Sequence, residues 1–323
     1  LQQIQTQLQN WAGDVTLVLH EPDVTQTAAF REHQTPAMLA TIDAWRATAA
    51  QRSTPNVPCP LPGLLRHLVI WVDLADPAAS WSWLRDMPLK SFHMYNARSC
   101  ISEADVAGFP KSATTIKLCS VELSSISDCF GQLKALTNLD LSGCCSLTGL
   151  PESMGQLAAL TSLNLYGCSS LTGLPESMGQ LAALTSLDLS SCGSLTVLPE
   201  SMGQLAALTS LDLSWCESLT VLPESMGQLA ALTSLNLFNC SSLTELPESM
   251  GQLAALTSLD LSFCKSLTGL PESMGQLAAL TSLNLTGCGS LTGLPESMGQ
   301  LAALTSLNLT GCGSLTGLPE SMG

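Results

Sequence analysis

No run of apolar residues in this 323-residue chain approaches the roughly 18 needed to cross a bilayer as a helix. Positive charge is scarce. From Leu136 onward Lys265 is the only basic residue against 14 acidic ones, and the whole chain carries a formal charge of −15. A surface of that sign repels phosphate backbones and anionic headgroups, which argues against nucleic acid and membrane surfaces and for basic proteins or peptides. Histidine is also thin: His20, His33, His67 and His93 all precede the regular part of the chain, and none stands in a recognisable motif. Without a phosphate-cradling glycine loop, or a nucleophile held near a base, the chain reads as non-catalytic. The thirteen cysteines include no C-x-x-C pair, so neither a metal site nor a cofactor is expected.

What the chain has is repetition. From Leu136 the unit LTSLDLSxCxSLTxLPESMGQLAA recurs every 24 residues, in seven complete copies to Ala303 and a 20-residue piece ending at Gly323. The period persists in degraded form at 65–88 and 89–112, and one residue short at 113–135, which makes about eleven coils. Counting from the first leucine of the unit, leucine occupies positions 1, 4, 6, 12, 15 and 22 and cysteine position 9. The L-x-L at positions 4 and 6 predicts a short strand with both leucines inward and positions 3, 5 and 7 outward. In LPESMGQL, proline suits the first position of a helical turn and glutamate its positive end.

One coil cannot bury enough leucine to offset the entropy of ordering its own backbone, so burial between neighbouring coils must supply the rest. The fixed positions are therefore those that touch the next coil. Cysteine at position 9 fits a place where the chain turns inward and leaves backbone groups needing partners. The ladder of Cys144, Cys168, Cys192, Cys216, Cys240, Cys264, Cys288 and Cys312 reads as buried, reduced structural thiols, and hence a reducing, cytoplasmic compartment.

The pattern L-x-x-L-x-L-x-x-C-x-x-L-x-x-L-P resembles the leucine-rich repeat, in the subtype of the plant intracellular immune receptors. The resemblance covers about 65–323, strongly from 136. It implies an α/β repeat solenoid, with a curved parallel sheet on the concave face, short helical turns on the convex face, and protein recognition on the concave side. The nucleotide-binding signature of those receptors is missing here. Residues 1–64 do not match the unit. LQQIQTQLQNW and TPAMLATIDAWRATAAQ read as amphipathic helices, DVTLVL as a strand and 52–63 as a proline-rich connector, together an N-terminal cap. Residues 65–135 are degenerate repeats and 136–323 near-identical ones. Gly323 stops inside a repeat, which predicts exposed leucines there or more protein beyond.

Two carboxylate ladders recur. Position 17 (Glu152 to Glu320) reads as helix-start electrostatics on the convex side. Position 5 alternates Asp and Asn along the concave strands, including Asp188, Asp212, Asn236 and Asp260, and reads as solvated polar side chains. The released positions, 7, 8 and 10, carry Tyr166, Trp215, Phe238, Phe263, Glu217 and Lys265. With aromatics only 4% of the chain, their gathering in nearby coils predicts one exposed strip on the rim of the concave face, flanked by carboxylates. A partner with an apolar anchor and basic neighbours would fit it.

The expected function is a monomeric, non-enzymatic protein- or peptide-binding module. Three alternatives stay open: a substrate-recruiting arm of a larger enzyme or pathogen effector such as a ubiquitin ligase, a purely structural scaffold, and drift as the source of the variation. The last copies, 280–303 and 304–323, are identical over their shared length, which favours drift at that end.

Overall fold

The computed structural model describes residues 15–20, 65–71, 89–95, 109 and 111–322. Twelve parallel strands form one sheet in unbroken chain order. The first four are β1 (Val15–His20), β2 (Leu65–Trp71), β3 (Ser91–Tyr95) and β4 (Thr115–Cys119). Eight three-residue strands follow: β5 (Asn138–Asp140), β6 (Ser162–Asn164), β7 (Ser186–Asp188), β8 (Ser210–Asp212), β9 (Ser234–Asn236), β10 (Ser258–Asp260), β11 (Ser282–Asn284) and β12 (Ser306–Asn308). Equivalent residues pair, so Leu211 sits between Leu187 and Leu235. The short coil at 113–135 is absorbed without a slip, with Thr115 opposite Asn138. This is the α/β repeat solenoid that the periodicity predicts. Within the segment expected as a cap, Val15–His20 joins this same sheet by pairing with β2. The expected helices and the connector at 52–63 lie outside the described residues.

The leucines at positions 1, 4, 6 and 12 are buried in every clean coil but the last, and all eight clean coils share one continuous core with the cysteines. In the last coil Leu304, Leu307 and Leu309 are only partly buried, and Leu318 is exposed. The strand itself is narrower than expected. It spans positions 3 to 5, and position 6 follows it already buried, its amide reaching the next coil, as Leu213 N–H does to Asn236 O at 2.8 Å.

On the convex side each complete clean coil makes a five-residue 3-10 turn, such as Glu200–Gln204. Proline stands outside that turn as its cap, not as its first residue: Pro199 has φ −69° and ψ 150°, an extended conformation. A proline cap offers no side-chain acceptor to the free amides that open a helical turn. The preceding coil supplies one instead. Glu152 accepts from Ser177 N–H at 3.1 Å, Glu176 from Ser201 N–H at 3.3 Å and Glu200 from Ser225 N–H at 3.1 Å. The position-17 ladder thus stitches coils together besides complementing the turn's positive end. In the degenerate coil Ser127 caps its own turn, accepting from Cys129 N–H at 3.2 Å.

Threonine at positions 2 and 13 has an equally specific task. Thr209 donates both its amide and its hydroxyl to Thr185 O, each at 2.9 Å. Thr196 Oγ1 donates to Thr172 O at 3.4 Å.

Coil spacing on the convex side is set by glycine at position 20. A Cβ on Gly203 would stand 2.4 Å from Ser225 O and 2.7 Å from Ser225 Cβ in the next coil. The constraint is close backbone approach, since these glycines have no left-handed φ. Gly193 and Gly269, by contrast, face open space. Gly203→Ala should therefore lower stability by about 1–3 kcal/mol through overpacking, while Gly193→Ala leaves it within about 0.5 kcal/mol. Urea unfolding followed by circular dichroism distinguishes the two.

Candidate functional site

The exit of each strand is built by three consecutive devices. First, the position-5 side chain turns back on the chain. Asp188 Oδ1 accepts from Ser190 N–H at 2.9 Å, Asp212 from Ser214 at 2.8 Å, Asn236 from Phe238 at 3.0 Å and Asp260 from Ser262 at 2.8 Å. An Asx turn of this kind accepts equally from Asp or Asn, which is why the two alternate. The second oxygen is taken as well in two coils: Asn236 Nδ2 donates to Asp212 Oδ2 at 3.0 Å, and Asn284 Nδ2 to Asp260 Oδ2 at 3.4 Å. These side chains are half-buried, so the expectation of solvated polar groups is corrected. The aspartates among them carry negative charge toward the concave face, with Oδ1 committed to the backbone amide two residues on.

Second, position 8 is left-handed in every clean coil. Glycine occupies it at 143, 167, 287 and 311, with φ between 69° and 79°, while Ser191 and Trp215 and Phe263 hold φ 61° and Asn239 φ 56°. That amide reaches the next coil, as Trp215 N–H does to Phe238 O at 2.7 Å.

Third, the cysteine at position 9 takes up a carbonyl of the coil before it. Cys240 Sγ donates to Leu213 O at 3.1 Å, and Cys216 Sγ to Leu189 O at 3.2 Å. Burial pushes the thiols of Cys144, Cys192, Cys216 and Cys288 up to about 12, and raises those of Cys168, Cys240 and Cys264 as well. Such thiols stay protonated and inert at neutral pH.

On this frame Trp215, Phe238 and Phe263 come together. Ring centroids of Trp215 and Phe238 lie 5.4 Å apart at 60°, and those of Phe238 and Phe263 5.5 Å apart at 70°. Both are edge-to-face contacts. Trp215 is 48% exposed and Phe263 39%, while Phe238 between them is half-buried. The Phe263 ring lies over Gly287, where an added Cβ would meet ring carbons at 2.9 and 3.0 Å. Tyr166, 52% exposed, is not part of this cluster. The coil of Ser190 and Ser191 separates it from that of Trp215, a span of about 10 Å at the usual strand spacing. Glu217 is exposed, and its Oε1 accepts from Asn239 Nδ2 at 3.2 Å.

Two features escaped sequence reasoning. The shared left-handed turn at position 8 was signalled by glycine in half the copies. Asn239 passed as one more variable residue, and only its bond to Glu217 distinguishes it. Among the described residues, no group of three or more His, Cys, Asp or Glu could hold a metal ion, and no helix is long and apolar enough to cross a membrane.

Comparison with known proteins agrees with the fold. A family profile described as a leucine-rich repeat region matches residues 132–265, and a leucine-rich-repeat profile matches 255–277. Among curated proteins no significant match is found. Similar solved structures include a leucine-rich-repeat protein of Leptospira interrogans, 24% identical over 85% of this chain and 89% of that one, with a TM-score of 0.46. The leucine-rich repeat domain of the type III effector XopL is 23% identical over 80% of this chain and 86% of its own, with a TM-score of 0.54. The Arabidopsis receptor kinase HAESA, solved with the peptide hormone IDA and the co-receptor SERK1, is 27% identical over 71% of this chain, with a TM-score of 0.50. This chain covers only 43% of that receptor chain.

The thiol ladder yields a pH dependence. An unfolded thiol ionises near 8.5 and a folded one near 12, so the folded state keeps protons that the unfolded state releases. Stability is complete below the unfolded value and falls by about 1.4 kcal/mol per pH unit for each buried thiol as pH rises toward 12. The urea midpoint should drop steeply above pH 9, and less steeply in a Cys216→Ala, Cys240→Ala double variant. Iodoacetamide at pH 8 should label the exposed Cys145 and spare the buried thiols from Cys168 to Cys288 until urea is added.

Proposed function

Given that the chain carries a leucine-rich-repeat solenoid, we propose that it is a protein-interaction module. Its partner is a protein or peptide docking on the concave rim at Trp215, Phe238 and Phe263. The observation that carries this reading is where two of those aromatics stand. Trp215 and Phe263 occupy left-handed positions, which cost a non-glycine residue roughly 1–2 kcal/mol relative to glycine. Both leave much of their ring in water, so burial does not offset that cost. An exposed, strained aromatic pair braced by a third ring supports selection for contact with something else over drift.

Charge supports the partner's chemistry. Asp188, Asp212 and Asp260 line the adjacent strands and Glu217 the rim, with Lys265 as the only cation from Leu136 onward. A partner segment with an apolar anchor between basic residues meets both features. The similar receptor kinase HAESA was solved in complex with a peptide hormone and a co-receptor, which supports a peptide or protein as the ligand class here. Tyr166 lies outside the central contact and would serve a longer ligand. The module works as a monomer and without enzymatic activity, in a reducing compartment such as the cytoplasm that keeps the thiol ladder intact. Pairing of Val15–His20 with β2 supports residues 1–64 as the cap of the first coil. Rigidity is the mechanism, since a preformed array loses little conformational entropy on association.

Selection of displayed peptides on the intact solenoid, followed by affinity measurement, tests the site. The selected peptides should be rich in Lys and Arg around an apolar residue, and Trp215→Ala with Phe238→Ala should weaken them by about 2 kcal/mol or more. Far-UV circular dichroism should stay unchanged. Peptides that bind the double variant as well as the parent would place the docking face elsewhere.

A further inference from the structure

The rim around Asn239 gathers three rings and one carboxylate, a chemistry more specific than an apolar patch. Trp215, Asn239 and Phe263 hold position 8 in three successive coils. The two rings thus stand on either side of the Asn239 coil, with about 10 Å between their backbones at the usual strand spacing. Phe238, the residue before Asn239, touches both rings, at 5.4 and 5.5 Å between centroids. Glu217 reaches across from the Trp215 coil, and its Oε1 is held by Asn239 Nδ2 at 3.2 Å. That bond draws the carboxylate over the middle coil, between the coils that carry the two aromatic walls. One carboxylate oxygen is left for a ligand.

We infer that Trp215, Phe238, Phe263 and Glu217 together form a receptor for one cationic side chain, an arginine or lysine, of the protein partner. This rests on the docking reading above and changes its anchor: the group that docks against the rings is the cation itself, with apolar contacts around it. Aromatic faces attract a guanidinium or ammonium through the ring quadrupole, and a carboxylate beside them adds direct charge pairing. A neutral aliphatic anchor would gain from the rings but make no use of the carboxylate's charge. Lys265 stands at position 10 of the Phe263 coil, next to the coil over which the carboxylate is held. Among the described residues it forms no ion pair with Glu217, so an incoming cation displaces no existing pair. Asn239 is a positioning residue, because it fixes the carboxylate without needing to touch the ligand.

The test uses the full chain, labelled with nitrogen-15, and the indole N–H resonance of Trp215 identified by its loss in Trp215→Phe. N-acetyl-arginine methylamide is titrated against N-acetyl-citrulline methylamide, which has the same shape and a neutral urea in place of the guanidinium, with the lysine analogue as a further arm. The arginine or lysine probe should shift the indole resonance saturably, roughly three- to ten-fold more tightly than citrulline. Glu217→Gln, which keeps an acceptor for Asn239, should remove most of that difference. Equal binding of citrulline, no saturable shift with any probe, or an unchanged preference in Glu217→Gln would each overturn the cation receptor. None of these results bears on the peptide measurement with the Trp215→Ala, Phe238→Ala variant, so the docking face and the nature of its anchor fail separately.

Discussion

The clean coils leave polar backbone groups that no single coil can satisfy alone, and neighbouring coils satisfy them. That single constraint accounts for most of the fixed residues. Leu213 O accepts from Cys216 N–H within its own coil and from Cys240 Sγ of the next. Thr185 O receives two donors from Thr209. The proline-capped turn borrows its carboxylate from the coil before. Each bond is modest, on the order of 1 kcal/mol net. Each recurs down the stack, and an unmade one would leave a buried group at a much higher cost. Leucine burial drives the coils together, while these bonds fix how far apart and in what register they settle.

A stack specified so completely at its fixed positions can vary freely elsewhere, and this shapes where function can reside. Positions 8 and 10 lie on the rim, as does position 7 where it carries Tyr166 or Phe238, although its serines at 190, 214 and 262 are buried, against the outward reading of that position. Four such residues in three neighbouring coils gather rings and a carboxylate. Position 8 is a partial exception to that freedom. Its left-handed φ is demanded by the bend that carries the strand into the cysteine turn, so glycine is its least costly occupant. Gly287 serves the cluster directly, because its missing side chain is what lets the Phe263 ring pack against the next coil.

Much of the fold was legible in the sequence, because a 24-residue period with leucine at six places admits few architectures. The sheet order, the buried cysteines and the shortened coil before Asn138 all follow from counting. Local geometry was less legible. Proline looks the same in sequence whether it opens a turn or caps it, and only ψ near 150° at Pro199 decides. Asp and Asn alternating at position 5 read as solvent-facing because alternation suggests indifference. They are in fact interchangeable as acceptors in one fixed bond. At the site, the approach of Trp215, Phe238 and Phe263 could be inferred from spacing. The separation of Tyr166 by a single intervening coil, and the tether from Asn239 to Glu217, depend on where side chains turn after the strand has ended.

The distribution of strain along the stack weighs against pure drift. If substitutions at position 8 accumulated without selection, the backbone would penalise each bulky one by the same left-handed term wherever it fell. Residues suited to that region, such as Asn, or small ones such as Ser, would dominate. Copies near the C-terminal end obey that expectation, with Gly287 and Gly311. In the centre Trp215 and Phe263 instead bracket Asn239, one coil apart on each side, and both rings lean on a phenylalanine in the only coil from which it could reach the two at once. Independent accidents do not readily place two costly residues symmetrically about their common support. A stack whose stability comes from many repeated inter-coil bonds can carry a few kcal/mol of local strain, and the strain sits where a partner's binding energy would offset it.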